Sequence, residues 1–64
     1  MAAPIIKYFV YDHLRGDLRD VSRPVGDLAN LMDNMLADGP EKSAGLRKLL
    51  EAKDCFVRAA LDKD

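Results

Sequence analysis

From Leu18 onward the apolar residues fall in steps of three and four: Leu18, Val21, Val25, Leu28, Met32 and Met35. That alternation is the period of a helix presenting one continuous seam, and Leu31 and Leu36 widen it. Pro24 interrupts the pattern. The residue before a proline avoids the helical region. The spacing therefore predicts a short helix ending near Ser22 and a longer one from about Pro24 to Ala37, with a kinked continuous helix as the alternative. Because the phase is kept across the proline, the two pieces of this first helical segment, residues 17–37, share one face.

Asp38-Gly39-Pro40 stops that segment and starts another. Gly39 suits the left-handed conformation that ends a helix, while Pro40 at the first helical position and Glu41 at the positive end of the dipole open a second helix, residues 40–62. There Leu46, Leu49, Leu50, Phe56, Val57, Ala60 and Leu61 form the expected buried face, with Lys53 on the same stripe. So short a link makes the two helices antiparallel neighbours. Upstream, Ile5-Ile6-Lys7-Tyr8-Phe9-Val10-Tyr11 is β-branched and aromatic and reads as an extended arm or single strand within residues 1–14. A lone strand has no partner in this chain, so the arm lies on the helices or crosses to another subunit. The expected fold is all-α: one domain, an antiparallel helical hairpin with a short N-terminal arm or helix, oligomerising through its apolar face.

Size gives the reason for that last expectation. A chain of 64 residues buries too little surface to be more than marginally stable by itself. The single Cys55 and the lone His13 supply neither a disulfide nor a zinc site. Association with copies of itself is the remaining route. Ten basic residues stand against eleven acidic ones, so no global field would hold the chain on duplex nucleic acid or anionic lipid, although local arginines can still bind a small anion. No segment approaches the length of a membrane span, and Met1-Ala2-Ala3-Pro4 shows no leader pattern, so a soluble cytoplasmic protein is expected.

Catalytic chemistry finds little to work with. Nucleophilic catalysis needs Ser or Cys beside a base, and the chain offers two serines, no threonine, one cysteine and one histidine. Cys55, beside Asp54, lacks the electropositive setting of a reactive thiol and reads as a packing residue. Asp12 and His13 are adjacent on an extended segment, where neighbouring side chains point to opposite sides, so they read as a turn residue and a surface residue. Asp12, Asp17, Asp20, Asp27 and Asp33 do not follow calcium-loop spacing and are expected on outward faces as solubilising charges. Gly16 and Gly26 form no phosphate loop. No enzyme, metal or cofactor is indicated.

Three residues carry candidate binding chemistry, each with a plain alternative. Tyr11, where the arm enters the first helical turn, can stack its ring on a purine or pack as a hinge. Arg23 precedes the proline break, where free N–H groups of the next helix would favour a phosphate, or it is a solvated arginine. Arg58 follows the apolar pair Phe56-Val57 and is read equally as a buried ion pair, a solvated edge or an anion site.

Leu46-Arg47-Lys48-Leu49-Leu50-Glu51-Ala52, followed by Cys55-Phe56-Val57-Arg58-Ala59-Ala60, resembles the C-terminal helix of the hairpin domain shared by phage anti-CBASS and anti-Thoeris cyclic-oligonucleotide sponges. Tyr11-Asp12-His13-Leu14 is similar to their Tyr-x-x-Leu step, and Val21-Ser22-Arg23-Pro24-Val25-Gly26 to their basic residue shortly before a glycine. The resemblance spans roughly Ile5 to Leu61. It implies a small helical hairpin that assembles as a homohexamer in the host cytoplasm. It also implies binding of cyclic dinucleotides, and in some members cyclic trinucleotides, without cleavage. Carried over, Tyr11 would stack in the dinucleotide pocket, Arg23 would meet its phosphates and Arg58 would serve a separate trinucleotide site. Tyr8 competes with Tyr11 for the stacking role, and Arg47 completes the candidate ligand-binding set. The chain departs from the family in its Arg23-Pro24 step and in a shorter connection between the helices. The competing reading is a small helical protein-interaction module with no nucleotide ligand, using the apolar arm residues Ile5, Ile6, Phe9 and Val10.

Overall fold

The computed structural model describes residues 4–62; Met1, Ala2 and Ala3 of the expected arm lie outside them. A 3-10 helix, Pro4–Phe9, leads through a turn into α1, Gly16–Met35, and then α2, Pro40–Leu61. The fold is all-helical, with the two long helices packed on each other and the 3-10 segment touching both. The arm is therefore neither extended nor a strand. A strand here would leave its backbone groups unpaired, whereas a 3-10 turn satisfies part of them locally.

α1 runs through Pro24 without a break, so of the two readings the continuous helix, not the pair of helices, is the one formed. Pro24 and Asp20 are both on the exposed side, where water can satisfy the Asp20 carbonyl that the proline cannot bond. The helix stops at Met35, and the amide of Leu36 closes its last turn by donating to the Met32 carbonyl at 3.1 Å. Gly39 is extended, at φ 172° and ψ 172°. The left-handed stop expected there is absent, because the chain leaves α1 through an extended Leu36.

The buried line of α1 differs from the apolar seam. Ser22, Gly26, Ala29 and Asp33 are the buried residues, spaced by four, three and four. At 3.6 residues per turn, the seam Val21-Leu28-Met35 lies roughly a quarter to a third of a turn around from them. Small residues line the inner side because the elements approach closely. A Cβ on Gly26 would sit 2.7 Å from the Phe9 carbonyl oxygen and 3.1 Å from the Tyr11 ring. The Ser22 hydroxyl is buried with no hydrogen-bond partner.

The apolar core is consequently small. Phe9, Ala29 and Leu46 are buried, with Ile5, Ile6, Val25, Met32, Leu49 and Leu50 packed against them. Leu28, Leu31, Met35 and Leu36 of the expected buried seam are exposed, Met35 by 65%, and so are Phe56 and Leu61. The arm covers one side of the hairpin only; on the other side Val25 and Met32 of the seam reach the core, while Leu28, Leu31, Met35 and Leu36 stay exposed.

Where α1 meets α2, Lys42 replaces a glycine cap. Its Nζ reaches Asp33 Oδ1 and Asp38 Oδ1, both at 2.8 Å, and donates to the carbonyls of Asp33 at 2.9 Å and Leu36 at 3.0 Å. The side chains of Lys42 and Asp33 are only 6% and 4% exposed. Asp33 is thus a buried partner, contrary to its expected solubilising role. On the arm side, the mostly buried Lys53 donates to the Tyr8 carbonyl at 2.7 Å, tying the end of the 3-10 helix to α2. Its place on the buried stripe is explained by that bond.

Candidate functional site

Two of the five candidate residues, Tyr8 and Arg47, come together. The 3-10 helix lies beside α2 so that Pro4, Ile5, Lys7 and Tyr8 face Arg47 and Leu50 across an open pocket of about 470 Å³. A smaller depression of about 200 Å³, lined by Pro4, Ile5, Ser43 and Arg47, adjoins it. Tyr8 is 55% exposed, and Lys7 Nζ sits 5.2 Å from the centre of its ring, a cation over an aromatic face. Among the described residues neither Lys7 nor Arg47 has a carboxylate partner. Two unneutralised cations, an accessible ring and an apolar floor suit a ligand that carries both a phosphate and a flat base. Lys53 holds the Tyr8 backbone in place from beneath.

Tyr11 and Arg23 form a second group, centred on Asp27. The Tyr11 hydroxyl donates to Asp27 Oδ1 at 2.9 Å, and Arg23 Nε lies 3.9 Å from Asp27 Oδ2 with both side chains mostly exposed. The Tyr11 ring rests against Gly26, so its packing role is the one realised within the chain. With α1 continuous, Arg23 does not stand before a helix N-terminus; the free amides expected to support a phosphate there are engaged in the helix. Asp27 is exposed, as an outward-facing charge should be, and also links the arm to α1.

Arg58 is on the solvated edge, its Nη2 3.4 Å from Cys55 Sγ. Eleven residues beyond Arg47 on the same helix, it lies about 16 Å from the pocket. Cys55 is exposed rather than packed, because it points away from the Leu46 line of α2. Asp12 and His13 occupy the exposed turn before α1. Lys7 carries no signal in the sequence; Lys42 offers the four-residue spacing from Asp38, and Lys53 its place on the apolar stripe of α2.

Electrostatics give a prediction at this point. The hydrogen bond to Asp27 holds the Tyr11 hydroxyl above its ordinary 10.0. Hydrogen bonds to Asp33 and Asp38 hold the Lys42 ammonium above its ordinary 10.5, against the opposing effect of burial. Both groups keep their proton in the folded chain at pH values where the unfolded chain has released it. Their stabilising contribution is complete below the ordinary values and is lost as pH rises through the raised ones. Thermal midpoints measured across the alkaline range should fall beyond about pH 10, with Tyr11→Phe removing part of the fall. A flat profile would contradict both contacts.

No family model, curated protein or solved structure matches this chain. Among the described residues no helix is long and apolar enough to cross a membrane.

Proposed function

We propose that the chain binds cyclic oligonucleotide second messengers, cyclic dinucleotides and in a separate site cyclic trinucleotides. We propose further that it sequesters them uncleaved in the host cytoplasm during phage infection, so that their CBASS-type effectors are not activated. The observation that supports this reading is the pocket where Tyr8, Lys7 and Arg47 converge with no carboxylate on its lining. The ring offers a stacking face and the cations meet phosphates, and no Asp, Glu, His or Cys side chain stands in the lining. Sequestration requires affinity alone: a nanomolar complex corresponds to about 12 kcal/mol, enough to hold a scarce messenger when the protein is in excess.

This reading shifts the dinucleotide site from Tyr11 and Arg23 to Tyr8 and Arg47, and leaves Arg58 to the trinucleotide site that the family resemblance implies. Isothermal titration with a cyclic dinucleotide tests it. Tyr8→Ala and Arg47→Glu should each weaken binding about tenfold or more, Arg58→Ala should leave it unchanged, and nucleotide released by heat should run intact on chromatography. A second reading, a protein-interaction module, loses most of the arm surface expected for it, since Phe9 is buried and Ile5 and Ile6 pack on the core, and draws instead on Val10 and the exposed Leu28, Leu31, Met35 and Leu36. No binding across a panel of cyclic dinucleotides and trinucleotides would favour it.

A further inference from the structure

The polar side chains of the two depressions beside the arm either donate hydrogen bonds only or are hydroxyls. The larger depression has Lys7, Tyr8 and Arg47, and the smaller adds Ser43, one helical turn before Arg47 on α2. Lys7 and Arg47 carry donors and no acceptor, whereas the Tyr8 and Ser43 hydroxyls can do either. No Asp, Glu, Asn or Gln stands in either lining. The backbone adds little. The Tyr8 carbonyl already receives the Lys53 ammonium at 2.7 Å, and carbonyls within the 3-10 helix Pro4–Phe9 receive the amides three residues on. A base seated on Tyr8 therefore meets a surface that gives hydrogen bonds and hardly accepts them.

We infer that the base held in this pocket is guanine, or another purine with acceptors at both O6 and N7, in preference to adenine. This preference rests on the cyclic-dinucleotide binding proposed above and specifies which of those messengers the pocket takes. Guanine shows two neighbouring acceptors, O6 and N7, and a guanidinium matches them with two parallel N–H groups; adenine keeps N7 but has an amine in place of O6, which turns a donor towards a donor. Arg47 is the residue placed to make that match. It lines both depressions, has no carboxylate partner among the described residues, and its planar fork holds two acceptors at once. Lys7 is a point charge on a flexible stem, its Nζ 5.2 Å from the centre of the Tyr8 ring, and suits a phosphate beside the stacked base better than a base edge. The adenine amine would find only the hydroxyls of Tyr8 and Ser43, both on exposed residues where water competes for them. The opposite edge of guanine, which carries the N1–H and the 2-amino group, needs acceptors that the lining does not offer, so that edge faces water.

Isothermal titration with three cyclic dinucleotides of the same linkage tests the preference: cyclic di-GMP, cyclic di-AMP and cyclic di-IMP, whose hypoxanthine keeps O6 and N7 but lacks the 2-amino group. The wild type should bind cyclic di-GMP and cyclic di-IMP within about threefold of each other, and cyclic di-AMP about tenfold or more weakly. Arg47→Lys keeps the charge and loses the fork, so the difference between cyclic di-GMP and cyclic di-AMP should shrink to about threefold or less, chiefly because cyclic di-GMP binds less tightly. Arg47 is exposed, so the variant should keep the helical circular dichroism of the wild type. Cyclic di-AMP binding as tightly as cyclic di-GMP would overturn the preference while leaving messenger binding in place. So would an undiminished preference in Arg47→Lys. Cyclic di-IMP binding as weakly as cyclic di-AMP would mean that the 2-amino edge is the one recognised, which also overturns it. Failure of all three to bind would remove the messenger-binding reading of this pocket, and the preference with it.

Discussion

Gly26→Ala lowers the thermal midpoint by roughly 5–10 °C, against the usual direction for a glycine replaced inside a helix. Alanine in a helix interior is favoured over glycine by about 1 kcal/mol. Here the added methyl would lie 2.7 Å from the Phe9 carbonyl oxygen and within 3.1–3.3 Å of two Tyr11 ring atoms. The nearest of these is backbone, so relief means moving the arm rather than rotating a side chain. Overpacking of that kind costs about 1–3 kcal/mol, which exceeds the propensity gain in most of its range. The displaced segment also carries Phe9, one of the three buried apolar residues among those described. Differential scanning calorimetry with circular dichroism would measure the effect. A midpoint that rises instead would mean that the arm does not rest on α1 at Gly26, and the pocket built from Tyr8 and Arg47 would lose its support.

The start of α2 is legible because Pro40 and Glu41 combine two physical signals, a preset φ and a charge at the dipole end, and the helix begins where they stand. The arm is misread for a reason of context. β-branched and aromatic residues describe a chain that fits a pleated surface, and no sheet exists here to offer one. The favoured break at Pro24 gives way to the continuous alternative because its disruption is judged for an isolated helix, whereas Ser22 and Gly26, buried on either side of it, keep α1 in register. The buried line is the least legible element. Hydrophobic periodicity finds Val21, Leu28 and Met35, yet close approach of neighbouring backbones selects Ser22, Gly26 and Ala29, residues too small or polar to register in an apolar pattern. At the candidate site Tyr8 and Arg47 were both in view, but their meeting depends on a 3-10 turn that the arm's composition conceals. Lys7, whose Nζ lies over the Tyr8 ring, gave no signal of its own. A lone lysine in an apolar run reads as an exposed charge until its neighbours are placed.

Lys42→Met produces the largest loss of stability among substitutions in the connection between the helices, larger than Lys48→Met on the exposed face of α2. The ammonium has three N–H groups and faces four acceptors at 2.8–3.0 Å: two carboxylates and two carbonyls at the end of α1. Methionine keeps the length of the side chain but removes the cation 2.8 Å from the Asp33 carboxylate, which is 4% exposed. Removing one partner of a buried pair is strongly destabilising, whereas replacing both by apolar groups is often neutral. The double variant Asp33→Leu with Lys42→Met separates the two parts of the effect. It restores the stability lost through the broken ion pair, but the Asp33 and Leu36 carbonyls still lack the Lys42 donor, so recovery stops short of the wild type. Urea titrations of the wild type, both single variants and the double variant make the comparison. Full recovery would show that only the ion pair matters. No recovery would show that Lys42 acts as the cap of α1, with Asp33 an incidental neighbour. Partial recovery is the expected result because one Nζ performs both tasks, joining the helices by charge and closing α1 where no left-handed glycine does so.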